Sequence, residues 1–207
     1  SSLTRGAHGL PLIGTGDWND GMNLVGAKGR GESIWLGWFV LASIEALAPL
    51  ADARGDKRVV KWRDYARTLR VALEKSWDGE WYRRGYYDDG TALGSKQSGP
   101  CKIDTIAQSW SVIAGNGNRP RAAQAMESVD RLLVDHDNRV ARLFTPPFDQ
   151  DGKEDPGYNK GYPPGVRENG GQYTRGASWN NFARAGLGHG ERPCPVVDLH
   201  TPCQHSD

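Results

Sequence analysis

The chain has 207 residues, with 26 Lys and Arg against 25 Asp and Glu, so its formal net charge is only +1. A chain of this length can bury a substantial core, and a balanced charge provides no field that gathers nucleic acid or anionic lipid. These numbers argue against intrinsic disorder and against nucleic acid as a partner. The 27 Gly predict loop-rich regions, and the eight Trp suit the faces of sugars as well as a core.

Cysteine usage and the first residues bear on the compartment. The three cysteines contain no C-x-x-C pair, so we expect no disulfide framework and a reducing environment. The N-terminal residues lack the charged start, apolar stretch and cleavage site of a secretory signal, which favours a cytoplasmic location. The most apolar run, residues 34–50, contains a glutamate and a proline, so we interpret it as a buried helix.

The first half of the chain divides into a loop, two helices and a short extended segment. The first thirty residues are rich in glycine, and a long loop inside a compact domain is usually functional. Apolar residues at helical spacing predict one helix over 32–54 and a second over 56–77, with Asp56 as N-cap of the second. The aromatic segment 80–90 predicts a hairpin or extended excursion.

The second half continues with helical patterns. Periodicity predicts helices over 104–115 and 119–137, a strand over 139–145, a loop rich in proline and glycine, and a last helix over 172–188. This order lacks the alternating rhythm of a parallel α/β sheet. We therefore expect an all-α fold of antiparallel helix hairpins, with short β excursions and long loops.

The segment 16–21, GDWNDG, contains two carboxylates three residues apart. A calcium loop is a poor fit, because Gly21 and Lys28 stand where ligands are required. Two interpretations remain open. The segment is either a structural turn held by Asx side chains, or a site that cleaves glycosides, with one carboxyl as general acid and Trp18 stacking on a sugar ring.

A second polar cluster precedes the last predicted helix. Its members are Arg167, Glu168, Asn169, Gln172, Tyr173 and Arg175. Free backbone N–H groups and the helix dipole favour an anion at such a place, so phosphate or sugar hydroxyls would suit it. The alternative is an ordinary helix N-terminus with Glu168 as the capping acid.

The tail, residues 189–207, is polar, rich in proline and without period, and we expect it to be irregular. Its potential zinc ligands are Cys194, His200, Cys203 and His205. Their spacing matches no closed structural site, so no metal is predicted.

Six motifs follow one another along residues 9–188: GLPLIGTGDWNDGMN, GRGESIWLGWF, WYRRGYYDDGTALGS, IDTIAQSW, LFTPPFD and GYPPGVRENGGQYTRGASW. Together they resemble the inverting glycoside phosphorylases of glycoside hydrolase family 94, the cellobiose phosphorylase family. The likeness is greatest to the phosphorylase-like domain of bacterial cyclic β-1,2-glucan synthases. It implies an (α/α)₆ barrel, of which residues 1–188 would form the C-terminal half, followed by the tail 189–207.

The resemblance also implies roles for individual residues. The family's general acid is the second Asp of its D-W-N-D block, which is Asp20 here. Trp18 would line the sugar site, and Glu168 and Tyr173 would contact the substrate. The family's phosphate-contacting His is replaced by Arg175, whose fork of N–H groups could bind phosphate. The further substrate-binding neighbours implied are Asp17, Asn19, Asp104, Gln108 and Gln172.

The implied reaction is phosphorolysis, or glycosyl transfer, on a β-linked and specifically β-1,2 glucan, giving α-glucose 1-phosphate during cyclic β-glucan synthesis. Inorganic phosphate would be the co-substrate, with no metal or organic cofactor. The alternative is a non-catalytic glucan-binding remnant or an incomplete fragment of such an enzyme. Expected partners are the N-terminal half of the barrel, a synthase in the bacterial inner membrane whose cytoplasmic domain this would be, or a second copy meeting exposed Trp35 and Trp38.

Overall fold

The computed structural model describes residues 4–115, 117–138, 140–149 and 154–188, so the tail and its potential zinc ligands lie outside the described residues. Helices dominate these ranges, and each lies where periodicity predicts one. They are α1 (Ile34–Ala53), α2 (Arg58–Lys75), α3 (Thr105–Ile113), α4 (Arg119–Leu133) and α5 (Thr174–Gly186).

The helices pack as hairpins in two rows. Helix α1 contacts α2 and α3, and α3 contacts α4 and α5, so α1, α3 and α5 form one row, against which α2 and α4 pack. The main core lies between the rows and includes Trp38, Leu41, Leu69, Leu73 and Tyr82, which are all fully buried. Burial of these side chains is the main term that holds the rows together.

Helix α1 is long and apolar enough to cross a membrane by length and composition alone, as core helices of soluble proteins also are. Its contacts with α2 and α3 agree with the interpretation as a packed helix. The expectation that Trp35 and Trp38 are exposed is wrong, because these side chains are only 8% and 0% exposed. The large apolar side chains of this helix that are exposed are Phe39, Leu47 and Leu50.

The start of α2 also differs from the prediction. Lys57 occupies the N-cap position, and its side chain makes no capping hydrogen bond. Asp56 lies one residue earlier, where its Oδ1 still accepts the N–H of Arg58 at 2.9 Å. Asp56 therefore makes a capping contact without being the N-cap residue.

Short strands gather at one end of the helix rows. A three-stranded antiparallel sheet has the order β1 (Glu32–Ser33), β2 (Gly85–Tyr86), β3 (Ala92–Leu93). Two antiparallel pairs join β4 (Ile103–Asp104) to β7 (Phe144–Thr145), and β5 (Val134–Asp135) to β6 (Val140–Ala141). Strand β1 leads into α1 and β4 into α3, and Arg84 contacts the N-cap residues of both helices, Ser33 and Asp104, so these two N-termini lie at the same end.

The strand predicted over 139–145 is divided between β6 and β7. The two residues between these strands bond elsewhere: the N–H of Arg142 donates to Leu133, and the N–H of Leu143 donates to Gly171. Each half therefore has its own partner strand.

Candidate active site

The D-W-N-D segment forms a loop shaped by two side-chain turns. Asp17 Oδ1 accepts the N–H of Asn19 at 3.1 Å, and Asn19 Oδ1 accepts the N–H of Gly21 at 3.0 Å. The second bond caps a short 3₁₀ helix, Asp20–Met22. The structural interpretation of this segment is thus correct in itself. It is also compatible with a chemical role, because the turns present Asp20 at the surface.

Asp20 and Asp17 have opposite surroundings. Asp20 is exposed, and no described residue donates a hydrogen bond to its carboxylate. Asp17 has a side chain with no exposed surface, and its oxygens are bonded to Arg84, Ser33 and Asn19. Asp20 is therefore the carboxyl of this pair that a substrate can reach.

A second 3₁₀ helix, Tyr158–Gly161, packs against the first. A Cβ placed on Gly21 would lie only 2.9 Å from Cβ of Asn159, so the close approach needs glycine there. The contact is reinforced where Asn23 Oδ1 accepts the N–H of Tyr158 at 3.1 Å. The approach brings a segment that is distant in sequence beside Asp20.

Asn169 fixes the loop that contains Glu168. The Asn169 amide is fully buried, donates to the carbonyls of Phe148 and Tyr162 at 2.9 and 2.8 Å, and accepts the N–H of Phe148 at 2.8 Å. Arg167 adopts a left-handed backbone, φ 50°, and its guanidinium lies 4.7 Å from the ring centre of Tyr162. These contacts hold Glu168, whose side chain keeps 16% of its surface exposed.

The electrostatics connect the two loops. Desolvation raises the pKa of Tyr158, and the charges of Asp20 and Glu168 raise it further. Desolvation also raises the pKa of Tyr173, together with the charge of Glu168 and a hydrogen bond to it. The charges of Asp20 and Glu168 therefore both act on the Tyr158 hydroxyl, although the two residues come from distant parts of the sequence. Sequence reasoning missed Tyr158, because its loop of proline and glycine has no periodic pattern.

Aromatic rings pack against one another beside Tyr173, and we call this group of rings the aromatic wall. The ring of Trp18 lies 5.6 Å from that of Tyr173 and 5.8 Å from that of Trp179, measured between centroids. Trp35 and Trp110 continue the wall from Trp179, at 5.9 and 5.4 Å. Offset and edge contacts of this kind are favourable and fix the orientation of the rings.

Three predicted site residues lie in a buried layer beneath the loop. Asp104 caps α3 by accepting the N–H of Ile106 at 2.7 Å, and its pKa is raised to about 6 by burial, with Arg84 opposing the rise. Gln108 is fully buried. Its Oε1 accepts the N–H of Tyr82, and its Nε2 donates to the carbonyls of Tyr82 and Asp104. With Asp17, these side chains support the site from below; their contacts are with protein groups.

Gln172 and Arg175 flank the start of α5. Gln172 Oε1 accepts the N–H of Ala141 at 2.8 Å, which joins the end of the loop to β6. Arg175 is exposed in the first turn of α5, and its charge acts on Tyr173. The N-cap of α5 is Tyr173 without a side-chain cap bond, so Glu168 is not the capping acid.

The part of the chain that the structure describes contains no group of three or more His, Cys, Asp or Glu side chains arranged to hold a metal ion. Cys101 is a free, buried thiol, and burial raises its pKa.

The described part of the chain is a domain of helix hairpins that carries an exposed carboxyl beside a group of aromatic rings. The whole chain, residues 1–207, matches the family model described as the glycosyl hydrolase 94 superfamily, catalytic domain, and the chain belongs to that family. The catalytic domain of this family is an (α/α)₆ barrel, so the predicted fold class is confirmed.

Individual relatives agree with this family. The chain is 52% identical over 203 residues to the cyclic beta-(1,2)-glucan synthase NdvB of Rhizobium meliloti (strain 1021), an alignment that covers 97% of the chain and 7% of the relative. It is 33% identical over 205 residues to the 3-O-beta-D-glucopyranosyl-beta-D-glucuronide phosphorylase of Paenibacillus borealis, covering 95% and 25%. It is 31% identical over 198 residues to the solabiose phosphorylase of the same organism, covering 92% and 25%. The chain thus spans a quarter or less of the length of these relatives.

Proposed function

We propose that this chain forms part of the active site of an inverting glycoside phosphorylase that acts on β-linked glucan, with Asp20 as general acid. The observation that supports this most directly is that the exposed Asp20 shares a loop with Trp18, whose ring contacts that of Tyr173, the hydrogen-bond partner of Glu168. An exposed carboxyl beside an aromatic wall is the arrangement that protonation of a bound sugar's glycosidic oxygen requires.

The chemistry needs one acid and no base. Phosphate is already an anionic nucleophile, whereas the water used by an inverting hydrolase must be deprotonated. Asp20 donates its proton to the glycosidic oxygen as the bond to the anomeric carbon breaks. A phosphate oxygen attacks that carbon from the opposite face, which gives α-glucose 1-phosphate and a glucan shorter by one unit. Asp20 regains a proton from solvent.

The other predicted residues either bind the sugar or position the groups that bind it. The ring of Trp18 offers a face for stacking, and Glu168, held by Asn169 and paired with the Tyr173 hydroxyl, offers oxygens that accept hydrogen bonds from sugar hydroxyls. Asn19 shapes the loop through its bond to Gly21. Asp17, Asp104, Gln108 and Gln172 are neighbours that position these groups.

Phosphate binding is assigned to Arg175. This side chain is exposed in the first turn of α5, where free N–H groups and the helix dipole add to its positive charge. Relatives named as phosphorylases support phosphate as the co-substrate, with no further cofactor in the reaction proposed here.

The likeness to a cyclic beta-(1,2)-glucan synthase supports a β-1,2-linked glucan and a role in cyclic glucan synthesis. We assign residues 1–188 to the C-terminal half of the barrel, which leaves Phe39 on α1 and Phe182 on α5, at 42% and 69% exposure, to meet its other half. The buried free thiol of Cys101 agrees with a cytoplasmic location, as the cytoplasmic part of a membrane synthase.

A non-catalytic glucan-binding remnant is the second candidate. The observation that favours it is Arg175 itself, which stands where the family places a histidine. Arginine differs from histidine in reach and in hydrogen-bond geometry. In this candidate sugar still binds, but phosphate is not aligned for attack on the anomeric carbon.

One assay separates these candidates. The full-length protein is incubated with β-1,2-gluco-oligosaccharides, with and without inorganic phosphate, and glucose 1-phosphate and free glucose are measured separately. Phosphate-dependent glucose 1-phosphate supports the phosphorylase. Saccharide binding in calorimetry without either product supports the remnant, and absence of both binding and products contradicts both candidates.

A further inference from the structure

Beneath the loop that contains Asp20 lies a guanidinium that the proposed reaction does not use. The side chain of Arg84 is fully buried, and its Nη1 and Nη2 lie 2.7 and 2.8 Å from the two carboxylate oxygens of Asp17. A two-point contact between a planar guanidinium and a carboxylate fixes both the position and the rotation of the carboxylate. A lysine ammonium is a single point of charge and cannot fix the rotation.

Asp17 transmits this orientation to the loop. Its Oδ1 also accepts the N–H of Asn19, and its Oδ2 accepts the hydroxyl of Ser33 at 2.7 Å. Asn19 in turn caps the 3₁₀ helix whose first residue is Asp20. Two successive contacts, from guanidinium to carboxylate and from carboxylate to backbone, therefore connect Arg84 to the residue before Asp20.

Arg84 is itself fixed to the frame of the domain. Its backbone N–H donates to Leu93 at 2.8 Å, and its carbonyl accepts the N–H of Ile34, the first residue of α1. Its Nε lies 3.3 Å from Oδ2 of Asp104, the N-cap of α3. Burial alone would lower the pKa of Arg84, but the charges of Asp17 and Asp104 raise it, so the side chain stays charged.

We propose that Arg84 is a positioning residue for glycosidic-bond cleavage: through Asp17 it sets the position of the Asp20 carboxyl, without touching the substrate. This inference rests on the proposed function, because it takes Asp20 as the acid. Buried ion pairs often add little stability over apolar residues of the same size, whereas they do impose one geometry. The arrangement therefore has a larger expected effect on catalysis than on folding.

The test replaces Arg84 by lysine in the full-length protein, with Arg83→Lys as the matched control. Arg83 is the adjacent residue and also forms an ion pair, with Asp78 at 2.6 Å; among the described residues its guanidinium bonds Asp78 and Tyr86 and not the D-W-N-D loop. We expect Arg84→Lys to lower kcat about 100-fold, as a displacement of about 1 Å does, and to change KM for the saccharide less than about threefold. Arg83→Lys is expected to leave both values within about twofold.

A double variant tests whether the effect passes through Asp20. If it does, Asp20→Asn with Arg84→Lys is no slower than Asp20→Asn alone, because the acid is already absent. Multiplied losses would overturn the proposal. Should Arg84→Lys fail to fold, as judged by its melting curve, Asp17→Asn removes the paired charge while retaining an acceptor for Asn19, and the same kcat loss is expected.

Hydrogen exchange supplies a readout that does not need turnover. Exchange at the backbone of residues 17–23 is expected to rise about tenfold in Arg84→Lys, while exchange in α2 is unchanged. Normal turnover of the unsubstituted protein, with kcat and exchange unchanged in Arg84→Lys, overturns the Arg84 proposal alone. Absence of turnover in the unsubstituted protein instead overturns the proposed function, and with it the catalytic role of Arg84.

Discussion

Asp17 and Asp20 belong to one short motif, yet they are built into the molecule in opposite ways. Asp17 has no exposed side-chain surface and is bonded to a guanidinium, a hydroxyl and a backbone N–H. Asp20 is exposed, and the described part of the chain offers its carboxylate no donor. A carboxylate bonded on every side cannot exchange a proton with a substrate, whereas an unbonded one can.

The difference shows that the two carboxylates of this loop have different roles, one structural and one exposed to a substrate. The buried carboxylate ties the loop to the N-termini of α1 and α3 through Ser33 and Arg84, and the exposed one lies on the 3₁₀ helix that packs against Tyr158–Gly161. Rigid support beneath a freely accessible group is what a catalytic geometry requires. Changes at Asp20 should therefore affect activity alone, whereas changes at Asp17 should affect stability as well as activity.

The largest effect is expected for Asp20→Asn. Loss of a general acid lowers kcat about 10²- to 10⁴-fold, while the amide keeps the shape of the site, so saccharide binding persists. The melting temperature should stay unchanged, because Asp20 has no bonded partner among the described residues. Glucose 1-phosphate release, calorimetry and a melting curve test these statements.

Asp17→Asn is the matched comparison: it should lower the melting temperature, because it weakens a buried ion pair, and it should also lower kcat, because Asp17 positions the loop that contains Asp20. Equal loss of saccharide binding and turnover in Asp20→Asn would contradict the assignment of the acid.

A smaller effect is expected where the two 3₁₀ helices meet. A Cβ at Gly21 would lie 2.9 Å from Cβ of Asn159 and 3.0 Å from Oδ1 of Asn19, so Gly21→Ala must separate the helices. We expect kcat/KM to fall about tenfold to 100-fold, with a loss of about 1 to 3 kcal/mol in the free energy of unfolding.

Gly161→Ala is the control on the second 3₁₀ helix, since its Cβ would meet no atom within 4 Å. If both alanine variants behave alike in saccharide kinetics and urea unfolding, the contact between the helices does not govern the site.

The helices were predictable because their cause is local. Apolar residues at helical spacing specify a buried face wherever the helix packs, and α1, α3 and α5 follow that rule. The strand over 139–145 was predicted as one element and is two, because β6 and β7 pair with different partners. Strand partners are set by tertiary packing, which periodicity does not encode.

The candidate site was only partly predictable. The D-W-N-D motif and the segment with Glu168 can be named from the sequence, and the resemblance implies their roles. Arg84 and Tyr158 could not be found in this way. The sequence does not indicate which of the adjacent Arg83 and Arg84 is buried. Tyr158 lies near Asp20 only because two distant 3₁₀ helices pack together. Burial of a charge is a tertiary property, so its signal appears only in the fold.

A still smaller and pH-dependent effect is expected at Asp104. Its pKa is about 6 in the folded chain against an ordinary value of 3.8, so between pH 4 and 6 the folded state binds more protons than the unfolded state. The free energy of unfolding should therefore fall as pH rises through this range, and Asp104→Asn should remove the decline. The difference in the free energy of unfolding, variant minus unsubstituted protein, should rise by about 1 to 3 kcal/mol from pH 4 to pH 7. Urea unfolding at each pH measures this difference.

Asp78→Asn is a control of opposite sign. Burial alone would raise the pKa of Asp78, but bonds from Lys96, Ser95 and Arg83 lower it. Its contribution to stability is present above pH 4 and is lost in acid, so Asp78→Asn should cost stability at pH 7 and little at pH 3. A flat difference for Asp104→Asn across pH would contradict the buried, titrating carboxyl.

The smallest effect concerns phosphate and Arg175. A guanidinium stays charged at every pH at which the protein is folded, so the KM for phosphate in the unsubstituted protein should change with pH only as phosphate itself ionises. Arg175→His introduces a group that loses its charge near pH 6.5. We therefore expect an added rise of KM for phosphate, up to about tenfold, between pH 5.5 and 7.5. Arg175→Lys, which keeps the charge and loses the fork, should weaken phosphate binding equally at both pH values, and identical profiles for all three proteins would place phosphate away from α5.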